Sequence, residues 1–492
     1  MRPGTFEKWR NPYVGPRAFE EDEREFFFGR EKEIEIMMGL VMVRRASLLF
    51  SPSGAGKSSL LRAGLIPELT RQEAVGRGGG THTYQKMRVL PIVSVSSGFV
   101  PGLEAAIGNV YVFGALLSLL PDVKPGELAG LTLVEGLATF FDSAEPDPGA
   151  EDTQQPVPLA AIPSTLLIFD QFEELFTRDP TRRPEWEGFF EQVGQALEAY
   201  PELHVLFAMR EDYVAELTPY AALLPDELRP RYRLEMLGQE AACRAIQQPA
   251  RQGGVEFTDA AATKLVDDLR RMRVQQPDGT ALEELGPCVE PVQLQVVCRR
   301  LWEKLPEGVT QIMPDDAGSE GDVDSALAAY YAERVRAVAA ETGVTERAIR
   351  RWFDRQLITE HGMRGDVLQG PEQSAGLDNW VIRALVDAHL VRAEKRRGAT
   401  WFELAHDRLV EPVRADNEAW RAAHLSPLQR QAALWQDENR ADGFFLGGEA
   451  LEEAEDWAKT HRGVMTEVER EFLDGCKKAQ RLQKARSARI LL

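Results

Sequence analysis

The chain has 492 residues, more than one hydrophobic core usually organises, so roughly two to four domains are expected. Hydrophobic residues at 43% and charged residues at 28% are ordinary globular composition, which excludes wholesale disorder. A formal net charge of −20 opposes the field of DNA, RNA and anionic lipid unless a local basic surface departs from the average, so no nucleic-acid partner is expected.

The opening segment, MRPGTFEKWRNPY, has no apolar stretch of the signal-peptide kind. Glu31 to Arg45 then has helical composition, and Ser47 to Phe50 is a short apolar run that breaks into glycine-rich sequence, as a strand entering a loop does. Helix resumes over Ser58 to Leu69. The apolar runs Arg88 to Ser96, Thr165 to Phe169, Leu203 to Met209 and Tyr232 to Leu237 read as further strands, with a helical pattern over Pro184 to Tyr200. Short apolar strands alternating with helices predict an α/β fold, a parallel sheet covered on both faces. Gly76 to Thr83 and the acidic, proline-rich Ser143 to Pro158 read as loops or insertions. The longest apolar segment, Val110 to Leu120, is too short to span a bilayer, and a cytoplasmic location is expected.

Beyond Gly238 helical patterns dominate, with breaks at Gln275 to Leu285 and Pro306 to Gly321. Within Asp322 to Trp420 the helices end in Leu385 to Arg392, followed by a charged turn at Glu394 to Gly398 and an apolar strand at Thr400 to Leu404. Helices before a small hairpin suggest a winged-helix unit. The last basic run, Lys477 to Arg489, reads as a solvated helical tail, with membrane contact as the minor alternative. Cys243, Cys288, Cys298 and Cys476 include no C-x-x-C pair and are expected as reduced thiols, mostly in cores.

Three segments carry chemistry. Ser51-Pro-Ser-Gly-Ala-Gly-Lys-Ser58 sits between a predicted strand and a helix, the context of a phosphate-binding loop. Its cradle is Ser53, Gly54, Ala55, Gly56, Lys57, Ser58 and Ser59: backbone N–H groups converge on phosphate oxygens, Lys57 neutralises charge and the Ser58 hydroxyl can ligate magnesium. Ser51 stands where the strict pattern has glycine, a place that a β-like backbone leaves open to serine. Leu166 to Glu174 is an apolar strand ending in acids and resembles a Walker B segment, with Asp170 toward magnesium and Glu173 or Glu174 polarising the attacking water. The sequence does not choose between these glutamates. Arg210 closes the run Leu203 to Met209, where it could sense a γ-phosphate or be a plain surface arginine.

Together with Asn11 to Phe19, Phe27 to Glu31, Pro249 in AIQQPA and Glu403-Leu-Ala-His-Asp407, these segments resemble the STAND class of signal-transduction NTPases, specifically the bacterial subgroup found ahead of repeat sensors. The resemblance implies a P-loop NTPase core of the ASCE or AAA+ type, then a helical lid, a winged helix and a C-terminal helical segment. The implied boundaries are 1–35 for an adenine-contacting segment, 36–240 for the NTPase domain, 241–315 for the lid, 316–424 for the winged helix and 425–492 for the helical tail. It further implies that Phe28, Gly29 and Arg30 lie by the adenine, that Arg210 is the sensor, that Pro249 is the lid proline and that His406 contacts the β-phosphate of ADP.

The implied activity is slow, regulated, magnesium-dependent ATP hydrolysis that resets an ADP/ATP switch. ADP favours closure, ATP favours self-association, and a protein sensor or effector partner acts in cis or in trans. Members usually carry such a domain, so the chain is expected to be a piece of a longer protein or a core with separate partners. The competing readings are a constitutive AAA+ motor, a nucleotide-stabilised scaffold, and a winged-helix DNA regulator using Arg347, Arg350 and Arg351.

Overall fold

The computed structural model describes residues 11–70, 74–75, 81–82, 87–95, 103, 106–143, 164–177, 183–275, 281–306, 308–316, 320–359, 362, 364–396, 399–437, 440–461 and 465–490. Of the two expected loops, only Thr81–His82 and Ser143 fall among these residues, and of the six basic side chains expected in the tail, those of Lys484, Arg486 and Arg489 are not described.

Five strands, β1 (Ala46–Ser51), β2 (Arg88–Val89), β3 (Thr165–Phe169), β4 (Leu203–Arg210) and β5 (Arg231–Arg233), form one parallel sheet in the order β2-β3-β4-β1-β5. Its side chains alternate between two buried faces, the reason these strands read as unbroken apolar runs. Leu49, Leu166, Ile168 and Leu206 pack onto α1 (Glu31–Val43) and onto α2, which runs from Lys57–Ser59 through Leu60–Leu65 to Ile66–Thr70. Leu48, Leu167, Phe169 and Phe207 pack onto α3 (Val110–Leu119), α4 (Leu133–Ser143) and α5 (Arg183–Ala199). The apolar stretch from Val110 is thus a core helix, capped by the Asn109 side chain, which accepts from the Tyr111 and Val112 N–H groups.

Two strands are shorter than the sequence suggests. Pro91 has no N–H for the ladder, so the run from Arg88 pairs at Leu90, breaks, and rejoins β3 only at Val93, whose N–H donates to the Ile168 carbonyl at 2.8 Å. After β5 the chain leaves the sheet, and Leu237–Gly238 pairs antiparallel with Cys288–Val289.

Helices α6 (Gln239–Gln252), α7 (Asp259–Arg270) and α8 (Pro291–Lys304) follow, strapped by the N-terminal segment. Tyr13 Oη donates to the Ile246 carbonyl at 2.6 Å, and the Val14 N–H donates to Gln295 Oε1 at 3.1 Å. Next come α9 (Glu320–Thr342), α10 (Glu346–Trp352), α11 (Asn379–Asp387) and an antiparallel sheet ordered β6-β8-β7, made of β6 (Asp366–Leu368), β7 (Val391–Arg396) and β8 (Ala399–Leu404). Val391 and Arg392, read with the preceding helix from sequence, belong to β7. The helix α12 (Val410–His424) closes this module.

One apolar cluster runs through Leu265, Leu294, Leu327, Phe353, Ile382 and Leu404, so no break in the core marks the expected boundary near 315. Beyond it, α13 (Pro427–Asp437), α14 (Glu449–Thr460) and α15 (Glu467–Ile490) build a core of their own around Trp435, Leu451 and Phe472. Among the described residues no helix is long and apolar enough to cross a membrane. All four cysteines are free thiols, with Cys298 and Cys476 buried.

Candidate functional site

Ser51, Asp170 and Arg210 stand together because β1, β3 and β4 end at the same edge of the sheet, where α/β folds place their ligands. Ser51 is the buried last residue of β1, in register with Arg210. Its extended backbone accommodates serine, and its hydroxyl accepts a hydrogen bond from Lys57 Nζ at 2.9 Å. Gly54 and Gly56 take φ values of +80° and +90°, which L side chains rarely adopt, and Gly56 leads directly into α2. The loop therefore turns its backbone toward a helix N-terminus, an arrangement that attracts anions. Burial pulls the Lys57 ammonium below its usual range, opposed by Glu173 and Asp170.

The acids are set by an aromatic anchor. Phe172 is fully buried against Phe169, Phe189, Phe190 and Phe207, and its N–H donates to the Ala208 carbonyl at 2.9 Å. The turn that returns it passes through Gln171 at φ +53°, whose N–H donates to Asp170 Oδ1 at 2.9 Å. Asp170 is buried at 6% exposure. Glu173 turns inward: its Oε2 accepts the Arg210 N–H at 3.2 Å, and burial pushes its carboxyl up against the pull of Lys57 and Arg210. Glu174 turns away. Its buried Oε2 has no hydrogen-bond partner, and its charge acts on Asp387 at the end of α11. Of the two glutamates, Glu173 is the one beside Lys57.

Arg210 faces both the sheet and the C-terminal module. Its Nη2 donates to Asp212 Oδ2 at 2.7 Å and to the Ala393 carbonyl of β7 at 3.2 Å, while its buried Nε has no partner. A cavity between the two parts is lined by Ser53 of the loop and by Glu290, His389, Arg392 and His406. His406 Nδ1 accepts the Arg408 N–H at 3.0 Å, so the neutral ring carries its proton on Nε2. Burial, with Arg364, Arg392 and Arg408 nearby, pushes its pKa down to about 4. Glu290 presses on the loop itself: a Cβ added at Gly54 would lie 2.5 Å from Glu290 Oε1. Burial raises the Glu290 pKa to about 7, although Arg392, a 2.8 Å hydrogen bond from Gln293 and Arg364 all favour the anion.

A second cavity, largely apolar, adjoins the other side of the loop and is lined by Phe28, Ala55, Gly56, Ser59, Pro291 and Gln295. Arg30 also lines it, but its guanidinium is spent on structure, donating to the Ala55 and Glu235 carbonyls at 2.9 and 2.8 Å. The Ser59 hydroxyl accepts the Phe19 N–H at 3.1 Å. Gly29 is packed against α6, where a Cβ would meet the Ala241 carbonyl at 2.5 Å. Pro249, expected over the base, is buried inside α6 and does not line this cavity. The proline that does is Pro291, the first residue of α8.

Glu290, Pro291, His389 and Arg392 carry no motif signal in the sequence. The pair Glu290-Pro291 marks a helix start and nothing more, because proline fits the first helical position wherever it occurs. Arg347, Arg350 and Arg351 do not present a common free face. Arg347 pairs with Glu469 at 2.5 Å, Arg350 is buried against Asp416 at 2.5 Å, and Arg351 donates to Gln436 at 2.7 Å.

The family model described as novel STAND NTPase 1 matches residues 12–443. No curated protein matches the chain significantly. Among solved structures it is similar to a Walker-type ATPase of Pyrococcus abyssi, at 12% identity and TM-score 0.43 over 82% of this chain and 100% of that one. It is also similar to the Aeropyrum pernix ORC2 protein in ADPNP–ADP complexes, at 14% identity and TM-score 0.38 over 80% and 95% of the chains. The Aeropyrum pernix ORC1 protein in complex with DNA matches at 13% and 0.39 over 81% and 95%.

Proposed function

Because this chain belongs to the novel STAND NTPase 1 family, we propose that it is a switch ATPase in a signalling or defence pathway, in which ADP and ATP control how the C-terminal module sits on the sheet. The supporting observation is the cavity lined both by Ser53 of the phosphate loop and by His389, Arg392 and His406 of the module. A ligand seated there touches both parts, and linkage makes it favour whichever arrangement lets both touch it. In this reading α6 to α8 act as the lid, with Pro291 over the base, and α9 to α12 with their sheet act as the winged helix.

Phosphates lie along the loop, with Lys57 neutralising them and the His406 Nε2–H donating from the module. Asp170 and Ser58 fit a magnesium ion: one is a buried carboxylate facing Lys57, the other a hydroxyl at the head of α2. Among the described residues no group of three His, Cys, Asp or Glu is placed to hold a metal, so these two residues would hold the ion only together with a bound nucleotide. When bound, such an ion would neutralise charge on the transferred phosphoryl group. Glu173 is the general base, holding the proton of the attacking water at its carboxylate. Arg210 is tied to the Ala393 carbonyl until a γ-phosphate recruits it, which loosens the module and allows self-association.

The test is the nucleotide content of the purified protein by chromatography, with its mass in solution under ADP and under a non-hydrolysable ATP analogue. Bound ADP and a larger assembly under the analogue are expected. Lys57→Ala should weaken binding about tenfold or more, the worth of a lost charge-assisted hydrogen bond. No bound nucleotide and no effect of Lys57→Ala would sink the reading.

A further inference from the structure

We propose that His389 is a second nucleotide-contacting histidine of the C-terminal module, donating a ring N–H to the terminal phosphate between Lys57 and Arg210 and so setting the preference for triphosphate over diphosphate. The assignment rests on the nucleotide reading above and adds to it a residue that reads phosphate number.

His389 follows α11 where the chain turns into β7, and its backbone is left-handed at φ +54°. A non-glycine residue is uncommon there, so the surroundings hold the turn in which His389 sits. Its N–H donates to the Val386 carbonyl at 3.0 Å, closing the end of the helix. The ring lines the same cavity as Ser53 and His406, and its Nδ1 is buried without a hydrogen-bond partner. A buried polar atom left unpaired is costly, and a phosphate oxygen reaching the cavity from the loop would satisfy it.

Different cations act on the two histidines. His406 stands among Arg364, Arg392 and Arg408, whereas Lys57 and Arg210 are the cations that act on His389. Those two come from the phosphate loop and the tip of β4, the elements that meet the last phosphate of a bound nucleotide. Burial and these cations hold His389 neutral, with a pKa lowered to about 4, so it carries one N–H to give and no charge of its own. Three residues beyond His389's neighbour Leu390, Ala393 offers its carbonyl to Arg210 at 3.2 Å, so the strand that follows His389 also holds Arg210.

The experiment is calorimetric binding of ADP and of a magnesium-loaded non-hydrolysable ATP analogue to the full chain. His389→Asn keeps a residue tolerant of left-handed backbone but shortens the reach. It should weaken the analogue about tenfold, the worth of one charge-assisted hydrogen bond, and leave ADP within about twofold. His389→Gln, which keeps an N–H at longer reach, should recover part of the loss. In the wild-type chain the ¹⁵N signals of the His389 ring should move with the analogue and stay in place with ADP. Equal losses for both nucleotides, no loss for either, or ring signals that respond alike to both overturn the assignment. A wild-type chain that binds neither nucleotide overturns the nucleotide reading itself.

Discussion

Two adjacent glutamates of identical chemistry end up with different surroundings because Phe172 pins the turn between Asp170 and Glu173. Glu173→Gln is expected to lower the rate of ATP hydrolysis by ~10²–10⁴-fold, the usual worth of a general base, while Glu174→Gln leaves turnover within a few-fold. Phosphate-release assays separate them. Glu290 gives the site a pH dependence. An anion arriving beside Gly54 favours the protonated acid, so ADP binding takes up a proton, and affinity declines by up to about tenfold per pH unit as pH rises through about 7. Calorimetry in two buffers of different ionisation heat measures the uptake, which Glu290→Gln should abolish. The histidines act on folding in the opposite sense. His389 and His406 stay neutral down to about pH 4, so the stability they contribute is present above 6.5 and is lost as pH falls toward 4. At this scale the sequence disclosed residues whose spacing is local, such as Lys57 and Asp170. It was silent on Glu290 and His389, which reach the loop only through tertiary packing.

The elements were legible where periodicity alone decides them. All five strands of the sheet and the helices α1, α2 and α5 beside them follow from apolar runs and their spacing, whereas α3 and α4 are not read as helices from the sequence. What shifted were ends: Pro91 interrupts a ladder, and β5 stops early because Leu237 finds a partner in Val289 outside the sheet. The position of the two prolines is a related case: Pro249 does not line the cavity beside the loop, and Pro291 does. Pro249 and Pro291 both sit in helical sequence, and only the fold reveals that one opens a helix against the loop while the other is interior to α6. Gly29 offers a test of how α1 docks on α6. Its φ of +88° and the 2.5 Å approach to the Ala241 carbonyl leave no room for a methyl group. Gly29→Ala should cost about 1–3 kcal/mol in chemical denaturation, from backbone strain with steric displacement.

On the scale of the molecule, apolar cores mark the cooperative units. The bundle of α13 to α15 has its own, so Phe472→Ala should destabilise it by about 3–5 kcal/mol. Proteolysis should then cut within the bundle while nucleotide binding stays unchanged, because no bundle residue lines either cavity beside the loop. By contrast, α6 to α12 share a single cluster. If the C-terminal module swings off its neighbours, residues such as Leu294 and Leu327 lose their cover together. Each molecule that opens therefore becomes adhesive, and what it finds first decides its fate. Where copies are few it recloses before meeting another, and where they are many it is captured by one in the same condition. Under the proposed switch, such a chain would respond to its own abundance with a threshold, and its expression level would enter the response.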